Sequence, residues 1–448
     1  MPFYFKYLDK YNIVLIGIHI IIGVVVSDSS QLATFWGLGS FFTGILIIFK
    51  YKNRFNDAAN FAGYIIGMEI VLRMTRASVF WEFGKYATIA LLLIGMLIEN
   101  IRYLRINLLS LAYIVSLIPS IFFLANFHGG AFNWSYFRTQ LSLNLSGPTC
   151  LFICLLYFRN RFITGYQLKS LFRIIILPII TLSAIIIIRM PTLENLVFSS
   201  EANFQMSGGY GPNQVSTILG IAIIIIGISK LLNFKLFTFN ILDNAIMTVA
   251  TGIALLTYAR GGVLAPFIAV LIGYNFAFLR KGIGITRILT ILTAILILFS
   301  AASYFTEGSI AKRYSQLLEV PFEEQSNLSG RSLIMAIDYQ IFLDNPFLGV
   351  GPGGATRMRA YYGYGNTVSA HSEFTRMLSE HGIFGAFSLL SLFTLLITEF
   401  FKRSRRDSII LMIFCSFSIL TMFHSAFRMA APGFIYGLAY VFVKDNFK

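Results

Sequence analysis

The sequence predicts an all-α membrane protein, a polytopic bundle of about 12–14 transmembrane helices with one large extracytoplasmic loop that contains short helices. Three observations carry this. Hydrophobic residues make up 56% of the 448 and charged residues only 12%, about half the charge of a soluble domain. Apolar stretches of roughly 20 residues recur along the whole chain, each long enough as a helix to cross a hydrocarbon core about 30 Å thick. The basic residues behind the net charge of +15 gather in short links between those stretches, the pattern of positive-inside topology. A soluble enzyme is excluded, and nucleic acid is not an expected partner, because the cations are dispersed among links and form no single basic patch.

The first apolar run, Asn12 to Val26, follows Lys6 and Lys10. It is read as a first helix and not a signal peptide, since no small-residue cleavage site follows and further spans continue to the C-terminus. The next spans are expected at about 32–49, 58–72, 86–99, 107–124, 145–158, 171–190, 212–229, 239–257, 262–279 and 286–303, and the last three at 383–400, 408–424 and 430–444. Basic links at 50–54, 102–105, 159–173, 280–287 and 402–406 fall on alternate sides, which places those sides and both termini in the cytoplasm. The single membrane domain therefore divides into 1–303, an extracytoplasmic segment 304–382, and 383–448. The three cysteines, Cys150, Cys154 and Cys415, lie within spans and form no disulfide framework or metal-ligand spacing.

The long segment has its own organisation. Ser329 or Gly330 starts a helix in which Leu333, Ile334, Ile337 and Ile341 recur at helical spacing, and Asp344-Asn345-Pro346 stops it. A glycine-rich turn, Gly349 to Gly354, follows; it lacks the Lys-Ser/Thr of a P-loop and is read as backbone that packs closely or approaches a ligand. A second short helix is expected over Ala370 to Glu380, with His371 on the face of Phe374 and Leu378 and Gly382 as its C-terminal cap.

Three basic residues on this side stand out physically. Arg331, in the first turn of a helix, opposes the helix dipole unless an anion sits there. Arg260 ends a span in Thr257-Tyr258-Ala259-Arg260-Gly261-Gly262, where desolvation favours a polar interior or the interface; its plainer reading is snorkelling to headgroups. His371 suits a general base near neutral pH, against the plainer reading of a packed structural histidine. Arg73, Arg76, Glu82 and Lys85 beside Trp81 form a second charged outer patch, read either as a site for glycan or lipid-headgroup phosphate or, more plainly, as an ordinary interfacial loop. Glu323, Glu324 and Glu373 read as solvated surface charge, with Glu373 as a candidate for orienting a base.

The run Arg331-Ser332-Leu333 through Asn345-Pro346-Phe347-Leu348-Gly349-Val350-Gly351-Pro352-Gly353, followed by Ala370-His371-Ser372-Glu373-Phe374 and Glu380-His381-Gly382-Ile383-Phe384-Gly385, resembles the O-antigen ligase and polymerase family. Thr257 to Gly262 is similar to that family's small-residue-Arg-Gly element, and Ser207 to Gln214 to an element of one of its branches. Ala-His-Ser-Glu stands where many relatives carry Ala-His-Asn. The resemblance covers roughly residues 200–430 and implies a polytopic glycosyltransferase of the bacterial inner membrane with its active site facing the periplasm. It implies a glycan donor on undecaprenyl pyrophosphate and an acceptor hydroxyl on lipid A core, another glycan or a protein. It also implies a metal-independent, inverting reaction with no cofactor, in contact with membrane lipids.

On that footing Arg260 and Arg331 are expected to hold the pyrophosphate through paired charge-assisted bonds, and His371 to take the acceptor's proton. Arg313, Arg357 and Arg359 are further pyrophosphate candidates, and Gly351 and Gly353 are expected to approach the substrate. The competing class is a transporter, such as a flippase for lipid-linked sugars, which explains many spans equally well; no internal repeat supports it, and it has no need of a long loop bearing Arg and His. A non-catalytic scaffold is the third class.

Overall fold

A computed structural model of the protein describes residues 10–100, 106–126, 133–191, 203–279, 300, 331–363, 370–424 and 428–444. Within them the chain runs through α1 (Asn12–Val26), α2 (Ser30–Tyr51), α3 (Asp57–Met74), α4 (Phe83–Ile98), α5 (Leu108–Val115), α6 (Pro119–Asn126), α7 (Trp134–Phe158), β1 (Phe162–Ile163) and α8 (Gly165–Arg189). After a single 3-10 turn, Gln205–Ser207, follow α9 (Pro212–Leu231), α10 (Asn240–Leu256), α11 (Arg260–Leu279), α12 (Arg331–Asp344), α13 (Gly354–Tyr361), α14 (Glu373–Phe400), α15 (Arg405–Met422), α16 (Ala430–Leu438) and β2 (Phe442–Val443). The protein is an all-α polytopic membrane protein. Among the described residues α2, α7, α8, α9 and α14 are each long and apolar enough to cross a bilayer, and α1, α4 and α10 are shorter apolar helices.

Local sequence sets most boundaries. Ser29 caps α2 by accepting from the Leu32 amide, and Lys52 ends it in the left-handed conformation. Thr164 and Gln167 close a capping box at the start of α8. The expected span 107–124 is instead two helices, because Pro119 has no N–H to continue α5. The expected span 145–158 begins eleven residues earlier, at Trp134, where Asn133 caps the helix. The expected span 286–303 lies almost wholly outside the described residues.

Helices pack where small residues let backbones meet. Gly63 and Gly67 form a G-x-x-x-G face on α3 against α8; a methyl at Gly67 would come within 2.5 Å of Pro178 and 2.7 Å of the Ile175 carbonyl. A second such pair, Gly433 and Gly437 on α16, meets α7, where a methyl at Gly437 would reach 2.5 Å from Cys154 Cβ. In lipid such close approach supplies the dispersion contacts and complementary shape that hold helices together.

The two ends of the bundle differ. The described basic links converge on one end: Arg161 pairs with Glu99 at 2.7 Å, Arg159 with Glu399 at 3.0 Å, and Arg403 donates to the carbonyls of Tyr440 and Val441. There β1 and β2 form a two-residue parallel ladder. The opposite end carries α12, α13, the glycine turn and the start of α14.

Candidate functional site

The glycine turn is built to clamp a break in α14. Gly349, Gly351 and Gly353 all have positive φ, and the amides of Val350 and Gly351 donate to the carbonyls of Ser379 and Glu380, both at 2.9 Å. Gly382 interrupts α14 at φ 61°, ψ −141°, and the Ile383 amide is captured by the Pro346 carbonyl at 2.8 Å. A methyl at Gly382 would sit 2.5 Å from the Phe347 carbonyl oxygen, and one at Gly349 2.6 Å from that of Glu380. The close-packing reading of this turn therefore holds, and its partner is the backbone of α14.

This clamp fixes one wall of a polar cavity of about 440 Å³. Arg73 lines it from the end of α3, Trp81 and Glu82 from the link beyond, Lys85 from the start of α4, Tyr136, Gln140, Leu143 and Asn144 from α7, and Gln214 from α9; Gly353, Thr356, Arg357, Ala370, Glu373, Arg376, Glu380 and Arg428 complete it. Five cationic side chains outnumber three carboxylates on the described lining. Each pairing is defined. Lys85 meets Glu82 at 2.5 Å, and Arg376 is held between Glu373 and Glu380, with 2.7 Å to the latter. Arg73 pairs with Glu69 at 2.7 Å and lies over the Trp81 ring; it also hydrogen-bonds Tyr210, whose phenol is raised by burial against the lowering effect of Arg73. Arg357 stacks over Tyr136, 4.5 Å from the ring centre.

Several expectations change here. Arg73, Glu82 and Lys85 do not form an ordinary interfacial loop: Lys85 is 1% exposed and all three face the cavity. Glu373 is not solvated surface charge but fully buried against Arg376. His371 does not sit on a helical face, because α14 starts at Glu373 with Ser372 as its N-cap; the histidine is half-buried in the turn before it, next to the cavity residue Ala370.

Of the further pyrophosphate candidates, Arg357 and Arg359 separate. Arg357 lines the cavity, whereas Arg359, two residues on around the same short helix, is wholly buried and ion-paired with Asp338 at 2.6 Å. Burial raises the Asp338 carboxyl, opposed by the guanidinium, and the Thr375 hydroxyl donates to its second oxygen at 3.1 Å. Arg359 therefore braces α12 and α13 against α14, away from the cavity lining. Gly353 lines the cavity and Gly351 serves the clamp.

Arg260 opens α11 beside the cavity, not on its lining: Gly261 abuts His424, and Gly262 abuts Ser216, just beyond the cavity residue Gln214 on α9. Arg331 opens α12 as expected; its side chain, and all of Arg313, Glu323 and Glu324, lie outside the described residues. Arg376 and Arg428 were missed. Glu373, Arg376 and Glu380, at spacings of three and four, place an acid–base–acid set on one helix face, and that signal was readable. Arg428, alone between two apolar runs, gave none.

A family model described as O-antigen ligase matches residues 245–390, about a third of the chain. The match contains Arg260, Arg331, Gly351, Gly353, Arg357, His371 and Arg376; Arg73, Lys85 and Arg428 lie outside it. A search of curated proteins found no match.

Proposed function

We propose that the chain transfers a glycan from undecaprenyl pyrophosphate to an acceptor hydroxyl at the periplasmic face of a bacterial inner membrane, a reading supported by the match of residues 245–390 to a family model described as O-antigen ligase. The observation that carries this reading is the 440 Å³ cavity with its cationic excess, at the end of the bundle opposite the basic links. Cations outside the cytoplasm meet no nucleotide, so the anion they suit is one that arrives already activated and membrane-anchored.

Guanidinium forks match pyrophosphate oxygens through paired bonds and stay charged at every relevant pH. Arg357 on the lining, with Arg260 beside it, neutralises the charge that grows on the leaving pyrophosphate, and Arg331 at the start of α12 is a further candidate for that role. The acceptor hydroxyl gives its proton to His371, and its oxygen forms the new bond to the anomeric carbon. The bond from that carbon to the phosphate oxygen breaks on the opposite side, its electron pair leaving with undecaprenyl pyrophosphate. Direct displacement inverts the anomeric centre and needs neither a protein nucleophile nor a metal. Gln140, Asn144 and Gln214, uncharged donors and acceptors on the wall, suit sugar hydroxyls.

The test is transfer by the purified protein, with candidate acceptors and a chelator, followed as release of undecaprenyl pyrophosphate. Release that survives the chelator and falls by about 10²–10⁴ in His371→Ala, the usual contribution of a general base, supports the reading. Release that needs a divalent cation overturns the metal-free step, and a fully active His371→Ala overturns the base.

A further inference from the structure

The segment bearing His371 is held from outside the family-matched region. The Arg428 guanidinium donates to the carbonyl of Ala370, the residue before the histidine. The Arg428 carbonyl in turn accepts from Arg73 Nη1 at 3.0 Å. Arg73 Nη2 meets Glu69 Oε1 at 2.7 Å, and the other oxygen of Glu69 accepts the Ala430 amide at 2.9 Å. Glu69 thus ties together, within one turn of α3, the arginine that holds residue 428 and the start of α16.

The brace is tightly seated. Glu69 is 2% exposed, Ala430 fully buried and Ala370 5% exposed. Gly84 at the start of α4 leaves room for the carboxylate, since a methyl there would lie 2.5 Å from Glu69 Cδ. On the other side of the histidine, Ser372 is fully buried and its carbonyl accepts the Arg376 amide at 3.2 Å. His371 is therefore the half-buried middle of three residues whose neighbours are pinned on both sides, one pin within α14 and the other reaching back to α3.

We propose that Glu69, Arg73 and Arg428 are positioning residues that set where His371 stands at the cavity edge. The proposal rests on His371 acting as the base. The physical warrant is that a misplacement of about 1 Å in a reacting group costs up to roughly 10²-fold in rate, and a carbonyl one residue away is a short lever on the imidazole.

The experiment is a double-mutant cycle in the full-length purified protein. Glu69→Gln removes the charge that holds Arg73 without touching the cavity lining, and Arg428→Lys keeps one donor for the Ala370 carbonyl where Arg428→Ala keeps none. Each is made alone and with His371→Ala, and folding is checked by thermal unfolding. In the parent background Glu69→Gln is expected to lower kcat about tenfold or more with donor KM within about twofold, and Arg428→Lys to retain more kcat than Arg428→Ala. On top of His371→Ala, neither Glu69→Gln nor Arg428→Lys adds further loss, because the group they position is gone. Should Glu69→Gln fail to fold, Arg428→Lys carries the same cycle. Additive losses, or a raised donor KM with kcat unchanged, overturn the brace while leaving the base intact. A fully active His371→Ala removes the base assignment and the brace with it.

Discussion

Arginines crowd both ends of this bundle, and the two crowds do different things. At the basic-link end a cavity of about 350 Å³ has Lys52, Arg54 and Arg161 on its wall, yet the Arg161 guanidinium is saturated by the protein. Its two Nη atoms reach Glu99, Nη1 also reaches Asn56, Nε donates to the Tyr157 carbonyl, and the Tyr157 ring lies 3.8 Å from its centre. Arg403 caps the chain carbonyls beyond α16 in the same way. At the other end the cations face a larger cavity together with amide side chains and an aromatic floor. The difference teaches that a buried arginine reports function only through what the rest of its guanidinium faces.

Five variants sharpen or break this comparison. The largest effect is expected from Gly382→Ala. An alanine at φ 61° and ψ −141°, with its methyl against the Phe347 carbonyl, adds backbone strain of about 1–3 kcal/mol to the steric cost. The thermal midpoint and transfer should fall together, because the clamp shapes the cavity wall. An unchanged midpoint would mean that α14 can straighten through the break.

Next comes Arg161→Ala, which strands Glu99 and should cost about 3 kcal/mol while transfer per folded molecule stays at the parental rate. Its counterpart, Arg357→Ala, should do the reverse: a loss of transfer of about tenfold to a hundredfold, about 1.4–2.7 kcal/mol, with the midpoint held within a few degrees. If Arg161→Ala proved the catalytic lesion and Arg357→Ala the structural one, the functional site would have to move to the other end. The smallest effect is expected when the Arg359–Asp338 pair is replaced as a unit by Met and Leu. Apolar replacement of a complete buried ion pair is commonly neutral or stabilising, so donor KM and kcat should both stay within about twofold. Arg359→Ala alone, which leaves Asp338 buried without its guanidinium, should destabilise. A raised donor KM in the Met/Leu protein would return Arg359 to the substrate.

Much of the long segment was legible because its signals are local. Ile334, Ile337 and Ile341 are each at most 7% exposed, as their spacing required, while Leu333 of the same set is 46% exposed; Gly382, expected as a cap, has the positive φ that favours glycine but breaks α14 internally, and the helix resumes beyond it. The sequence puts His371 inside a helix that starts only at Glu373, because Ala370 to Glu380 is uniformly compatible with helix and the extended backbone at Ser372, which makes no side-chain cap, marks the start. Arg73 and Lys85 are visible in the sequence, but their role is not. Two cations close in sequence look interfacial until Tyr136, Gln140 and Arg428, distant in sequence, are brought around them.

By itself the sequence determined the membrane class, most of the helices, the break at the glycine turn and the family resemblance, all of which depend on hydropathy, chirality and neighbours a few residues away. Only the tertiary structure decided which cations share a cavity, that Arg357 faces it while Arg359 turns to Asp338, and that α3 reaches the segment before His371. The reason is physical. Helix formation is read over a few residues, whereas the direction of a guanidinium is set by whichever carboxylate, carbonyl or ring the packing of remote helices leaves within about 3–5 Å of it.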